Sequence, residues 1–207
     1  SKLESHFLYG DLFYETPGGL TATELLTSPR SARPRTGPVP GAEEARAAIS
    51  QKNFFSGIRY QYALNTNWTE SASLYGAFIR LRNPGIFNYS WANEAHTGGR
   101  YVLAYQKNQL SLQFGTEIQQ GFTTAKTFKN MQGNPDTLRS DDEVNTRLLF
   151  GFLQVNYTFP KGWIFSGGTS INQLKTSITR LSSYPSVAKN RRYSNQWAPR
   201  LSVLKKL

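Results

Sequence analysis

The sequence predicts an all-β fold, an antiparallel meander of about eight long strands that forms part of a transmembrane β-barrel. Three observations predict it. First, residues 109–122 alternate without a break: Leu110, Leu112, Phe114, Ile118 and Phe122 share one face with Thr116 and Gln120, opposite Gln109, Ser111, Gln113, Gly115, Glu117, Gln119 and Gly121. Successive strand side chains point to opposite faces, so one side is apolar and the other wet. The period holds for about 14 residues, against about 5–6 in an ordinary soluble strand. Second, several further segments share that period. Third, short connections alternate with long ones, as in barrels with short turns on one side of the membrane and long loops on the other.

Composition fits. No run approaches the roughly 18 apolar residues of a membrane helix, and a barrel needs none because every second residue can be polar. Aromatic content is 14 %, from 13 Phe, 11 Tyr and 4 Trp in 207 residues, and these types suit pleated surfaces and membrane interfaces. With no cysteine, a disulfide framework, a thiol nucleophile and a Cys-ligated metal are excluded. Net charge is +11, a balance that raises nucleic acid or an anionic surface as partner. The cations are scattered, with the densest cluster at Lys189, Arg191 and Arg192, so no dedicated nucleic-acid arm is expected. The chain starts in mid-pattern at Ser1 and stops at Leu207 just after a strand-like run, with no signal peptide, which predicts a fragment.

In chain order, residues 8–14 read as a strand with indistinct faces. A long connection over 15–48 follows, broken at Thr16-Pro17-Gly18-Gly19, rich in Pro and Arg from 29 to 40, and helix-forming in composition over 41–48. In residues 54–64, Phe54, Ile58, Tyr60, Tyr62 and Leu64 oppose Arg59 and Gln61. Asn65-Thr66-Asn67 is a tight turn, 70–82 a further strand, and 83–99 a predicted long loop. Tyr101, Leu103 and Tyr105 oppose Arg100 and Gln106, and Lys107-Asn108 turns into the 109–122 strand. A predicted long loop at 125–143 precedes the strand at 147–159, where Leu149, Leu153, Val155, Tyr157 and Phe159 oppose Gln154, Asn156 and Thr158. Pro160-Lys161-Gly162 turns into 163–171; a last long loop at 182–196 leads to Trp197, Leu201 and Val203. Trp68 and Trp163 open strands after tight turns while Tyr157 and Phe159 close one, which fits an interfacial aromatic girdle as well as ordinary cross-strand packing.

Several motifs carry a family resemblance. They are Phe13-Tyr14-Glu15-Thr16-Pro17-Gly18-Gly19-Leu20-Thr21, then Ser28-Pro29-Arg30-Ser31-Ala32-Arg33-Pro34 and Pro40-Gly41-Ala42. Leu74-Tyr75-Gly76, Arg82-Asn83-Pro84, Asn88-Tyr89 and Gly98-Gly99-Arg100 follow in order, and Ala198-Pro199-Arg200-Leu201-Ser202-Val203-Leu204 comes last, with Ala198 where the family usually has Ser. In this order the chain resembles the barrel of TonB-dependent outer-membrane receptors, closest to the siderophore and ferric-citrate type of Bacteroidetes. The resemblance implies a 22-stranded barrel with an N-terminal plug domain and a TonB box. It implies energised uptake of a ferric chelate across the Gram-negative outer membrane. Residues 1–207 would then be a middle segment of that barrel, about a third of it, lacking the plug and terminal strands. Its partners would be the chelate, outer-membrane lipid and lipopolysaccharide, the plug, and TonB through the whole receptor; no nucleic acid, no cofactor and no catalysis are expected.

Candidate ligand contacts are the basic residues of the first and last long loops, Arg30, Arg33, Arg35, Lys189, Arg191 and Arg192, which could focus an anionic chelate toward the barrel mouth or meet lipopolysaccharide phosphates. Tyr89, Trp91 and His96 fall in the predicted loop at 83–99 and join that list. Arg59, Gln113, Glu117 and Asn156 should face the lumen and a plug. His6, the other histidine, reads as an incidental strand residue, and Gly167-Gly168 as a bend. Asp141-Asp142-Glu143 reads as a solvated acidic run rather than a cation site, because three adjacent carboxylates converge only with a turn. Two other architectures fit the same strand count. A complete eight-stranded barrel, an adhesin or pore, requires the end near Leu207 to pair with the strand near Leu8. A soluble basic β-protein that binds nucleic acid requires the apolar faces to be buried.

Overall fold

The computed structural model describes residues 1–205, and its architecture is one antiparallel sheet of nine strands in sequence order. The strands are β1 (Lys2–Glu15), β2 (Ala48–Ala63), β3 (Trp68–Pro84), β4 (Asn88–Lys107), β5 (Leu110–Met131), β6 (Asn134–Thr158), β7 (Trp163–Arg180), β8 (Val187–Arg192) and β9 (Gln196–Lys205). β8 and β9 both pair with β7, along Lys175–Arg180 and Trp163–Asn172 in turn. They act as one strand interrupted at residues 193–195, where the Tyr193 amide still donates to the Leu174 carbonyl at 3.0 Å. The meander of about eight strands expected from the sequence is therefore present.

Register makes this sheet amphipathic across its width. Directly opposed residues of an antiparallel pair share a face. One row reads Trp68, Tyr105, Leu112, Val155, Gly167 and Leu201; the next reads Leu103, Phe114, Leu153, Thr169 and Pro199. Phe54, Phe78, Ile58 and Leu74 continue the same face on β2 and β3. These side chains are not covered: Phe114 is 55 % exposed and Leu201 72 %. Among the described residues the buried hydrophobic core is Ala42, Ala45, Ala47 and Ala48. A buried Leu or Phe contributes about 1.5–3 kcal/mol when it leaves water, so a face this wide calls for an apolar cover. A soluble β-protein would need it covered. Among the described residues β1 pairs only with β2 and β9 pairs with β7, so the β1–β9 pairing that a small closed barrel requires is not among them. Leu207 itself lies outside the described residues.

Two predicted long loops are corrected. Residues 83–99 are mostly strand, because β3 runs to Pro84, β4 starts at Asn88, and residues 85–87 form the tip. Residues 125–143 are strand as well: β5 and β6 meet at Gln132 and Gly133, whose φ angles of 50° and 84° supply the backbone of a two-residue hairpin. The last predicted loop, 182–196, contains β8. Strands β4, β5 and β6, of 20, 22 and 25 residues, thus exceed the roughly 9–11 residues needed to cross a bilayer. Their excess projects from the end opposite the short turns at 64–67, 108–109 and 159–162.

Only the first connection is long. Its helix is α1 (Ala22–Thr27), not residues 41–48. Thr21 and Glu24 form a capping box, with the Glu24 amide donating to Thr21 Oγ1 at 3.3 Å and the Thr21 amide donating to Glu24 Oε2 at 2.7 Å. Residues 41–48 make a tight turn, closed by the Ala45 amide on the Gly41 carbonyl and the Ala47 amide on the Ala42 carbonyl, both at 2.9 Å. Arg46 at φ 48° ends any helical continuation.

Candidate functional site

The polar face of the sheet gathers the chemistry. One row across β2–β5 reads Arg59, Ser73, Arg100 and Glu117. Arg100 Nη1 lies 3.7 Å from Glu117 Oε2, Gln119 Nε2 donates to Glu117 Oε1 at 2.7 Å, and the Tyr75 hydroxyl donates to the same oxygen. Tyr75 on β3 reaches Glu117 on β5 only by lying across β4 at Gly98, where a Cβ would collide with its ring. The glycine is therefore required by a close approach rather than by backbone conformation. Gly115 does the same for the Phe152 ring, over which the Arg100 guanidinium stacks at 5.2 Å. Further along, the Arg200 guanidinium donates to Gln154 Oε1.

Beside this network lies a groove of about 630 Å³, lined by Arg59, Gln61, Ser71, Ser73, Arg100 and Gln113 among others. Its lining holds two guanidiniums and no carboxylate, so it favours a carboxylate, a phosphate or the polar surface of another protein. Gln113, Glu117 and Asn156 share the Arg59 face, with Asn156 in register with Ser111 and Ser166. The residues the sequence did not single out are Tyr75, Arg100, Phe152 and Arg200. Parity was the available signal for Arg100, which opposes Tyr101 and Leu103 on its own strand.

The projecting ends are tied together by one side chain. Asn130 Nδ2 donates to the Ala45 carbonyl at 2.7 Å and to the Gly85 carbonyl at 2.6 Å, and its Oδ1 accepts from the Gly133 amide at 2.9 Å. The first connection, the β3–β4 tip and the β5–β6 tip thus meet at Asn130.

The predicted ligand contacts separate. Tyr89, Trp91 and His96 lie on β4 rather than in a loop. Trp91 is in register with Arg82 and Lys126 on the apolar face, Tyr89 shares that parity, and His96, beside Ala77 and Gly121, is on the polar face. Lys189 and Arg191 stand on the polar-face parity of β8, opposite Ile178 and Thr176, while Arg192 opposes Lys175 on the other. In the first connection, Arg35 is paired with Glu44, its Nε donating to Oε2 at 3.0 Å. Arg33 holds the connection through its backbone, donating to the Pro17 carbonyl at 2.7 Å and accepting from the Ala42 amide at 2.9 Å; Arg30 is exposed. Asp141 and Asp142 point to opposite faces and pair with Lys126 at 2.9 Å and Arg180 at 2.8 Å. An alternating strand cannot gather that run into one cation site.

No protein-family model and no curated protein matches the chain. Solved structures do. The ferric citrate transporter FecA in its unliganded form aligns over 99 % of this chain at 13 % identity with a TM-score of 0.76. The siderophore receptor PiuA from Acinetobacter baumannii aligns over 99 % at 12 % identity and 0.62. The ferric yersiniabactin uptake receptor FyuA from Yersinia pestis aligns over 80 % at 11 % identity and 0.57. The chain spans 31 %, 37 % and 27 % of those three chains. Open edges, an apolar face without cover and these alignments agree: the chain has the fold of a segment of an outer-membrane β-barrel.

Proposed function

We propose that residues 1–207 form a middle segment of the barrel of a TonB-dependent outer-membrane receptor, which binds and actively imports a ferric chelate such as a siderophore or ferric citrate. The observation that carries this is the register: it gathers the apolar side chains of neighbouring strands on one face while the opposite face collects arginines, serines and a carboxylate. A barrel that transports needs that order, lipid outside and polar lumen inside. The alignment with FecA over 99 % of the chain supports the same reading.

In this reading Arg59, Arg100, Gln113, Glu117 and Asn156 face a plug, and the groove beside Arg59 and Arg100 receives part of its surface. Arg30, Arg33, Lys189 and Arg191 raise the positive potential at the mouth, which concentrates an anionic chelate. Arg35 contributes less because Glu44 neutralises it. The segment carries no chemistry of its own; the import is driven through TonB by the inner-membrane proton gradient.

The test is uptake of radiolabelled iron by intact cells of the encoding bacterium. Supplied as ferric citrate or as ferric siderophore, iron should enter in wild type, stop on deletion of the gene, and stop when an uncoupler collapses the proton gradient. Unchanged uptake of every ferric chelate in the deletion strain would sink the proposal.

A further inference from the structure

A row of cations crosses the apolar face on its last strands. Gln120 of β5, Arg147 of β6, Lys175 of β7 and Arg192 of β8 are direct partners across four neighbouring strands. Opposed residues on a sheet have Cβ atoms about 4.5–5.5 Å apart, and like charges so placed repel. Most other cations on this face differ: Lys52 pairs with Asp11 and Lys126 with Asp141, each at 2.9 Å, and Arg82 stacks on Trp91 at 4.0 Å, while Arg80 and Lys107 stand singly, on β3 and at the end of β4. Arg147, Lys175 and Arg192 have no ion pair among the described residues. The row below is Ile118, Leu149 and Gln173; the row above is Phe122, Asn145, Ser177 and Asn190. Neither holds a carboxylate. The acid nearest along β6 on this face, Glu143, is about 13 Å from Arg147 at strand spacing.

Height explains the row. Leu110, Tyr157 and Phe165 form a row near the short turns. The cationic row lies ten residues further along each strand, from 110 to 120, 157 to 147 and 165 to 175. Ten residues at about 3.4 Å, tilted by about 40°, rise about 26 Å. The apolar band of a transmembrane barrel is about 25 Å tall. In a tilted barrel the three cations would then lie about where hydrocarbon ends and headgroup phosphates begin, stepped by about 3 Å from strand to strand, with Gln120, Ser177 and Asn190 as neutral donors beside them.

We propose that Arg147, Lys175 and Arg192 bind the phosphate of a lipid headgroup in the leaflet at the projecting end of the strands. A headgroup is favoured over free phosphate because the row lines a shallow groove of about 410 Å³ that opens widely to the outside of the sheet, and the bilayer itself holds the phosphate at that height. This rests on the chain being a membrane barrel.

The test uses the protein purified from outer membranes and reconstituted in neutral phosphatidylcholine vesicles. Bisphosphorylated lipid A is titrated in, with the same glycolipid stripped of its phosphates as the second probe and inorganic phosphate as competitor. The triple variant Arg147→Gln, Lys175→Gln, Arg192→Gln should bind lipid A about tenfold or more weakly, while a variant with Lys2, Lys107 and Lys161 changed to Gln, all at the opposite end, should bind as wild type. Dephosphorylated glycolipid should bind wild type and triple variant equally. Equal lipid A affinity in wild type and triple variant overturns the proposal, and so does full competition by inorganic phosphate, which would mark an ion site. Protease protection in the neutral vesicles separates the two claims: loss of insertion for wild type removes the barrel reading itself, whereas normal insertion without phosphate preference removes only the row.

Discussion

The lower and upper halves of β4, β5 and β6 are built on one continuous ladder yet are held by different forces. Below the row of Gln120, Arg147 and Lys175, the two faces differ sharply, Leu103, Phe114 and Leu153 against Ala104, Gln113 and Gln154. Above it, the contrast between the faces fades: Thr123, Thr124, Lys126 and Thr127 pair with Val144, Glu143, Asp141 and Ser140. The lower half is anchored by transfer of apolar area out of water. The upper half depends on backbone hydrogen bonds, surface ion pairs and the Asn130 clamp. Side-chain alternation thus reports the surroundings of a strand, whereas pairing persists where that contrast is gone.

The largest expected effect breaks the comparison directly. Phe114→Arg places a cation near the middle of the apolar band and should cost about 2–4 kcal/mol. Thr124→Arg, on the same face and strand but above the band and opposite Glu143, should stay within about 0.5 kcal/mol. Denaturant unfolding of the protein in vesicles measures both; equal costs would mean that the two halves share one environment. Asn130→Ala comes next. It removes two donors and one acceptor from three backbone groups, at about 1–3 kcal/mol. Limited proteolysis should then cut within residues 17–47 while the strands remain intact. Asp141→Asn, which breaks the pair with Lys126, should cost about 0.2–1 kcal/mol, and less as salt rises. A salt-independent loss above that range would assign the upper half a buried electrostatic core.

The lower half was legible in the sequence for a physical reason. An apolar environment on one side and a polar one on the other impose period 2, and Leu110, Leu112, Phe114 and Ile118 display it. The upper strands resemble loops in the sequence because residues 125–143 carry no such contrast, and because the hairpin at Gln132 and Gly133 lacks the Asn-Gly pair that usually marks it. Its threonines were the remaining sign of strand. β8 is hidden likewise, since Lys189, Arg191 and Arg192 show a basic cluster without period-2 contrast. The polar-face residues Arg59, Gln113, Glu117 and Asn156 followed from parity alone. The network around Glu117 did not, because Tyr75 reaches it across a whole strand, and no local pattern records that contact. In the first connection, helix-forming alanines at 42–48 drew attention from the capping signature Thr21–Glu24, which marks the helix that forms.

The smallest effect tests whether that connection is energetically separate from the ladder. The Thr21 backbone amide, and then its hydroxyl, donate to the Glu24 carboxylate and hold its pKa below the ordinary 4.5. A carboxyl whose folded pKa is lowered contributes stability above the unfolded value and loses it as pH falls through the lowered one. Protection of α1 amides from hydrogen exchange, corrected for intrinsic rates, should therefore be level above that range and fall on acidification. Glu24→Gln, which keeps an acceptor but cannot titrate, should remove the pH dependence. Amides of β5 below Gln120 should not respond. If α1 and the lower ladder lost protection together at one pH, the connection would be part of the same cooperative unit, and the division between an anchored lower half and a separately held upper end would have to be redrawn.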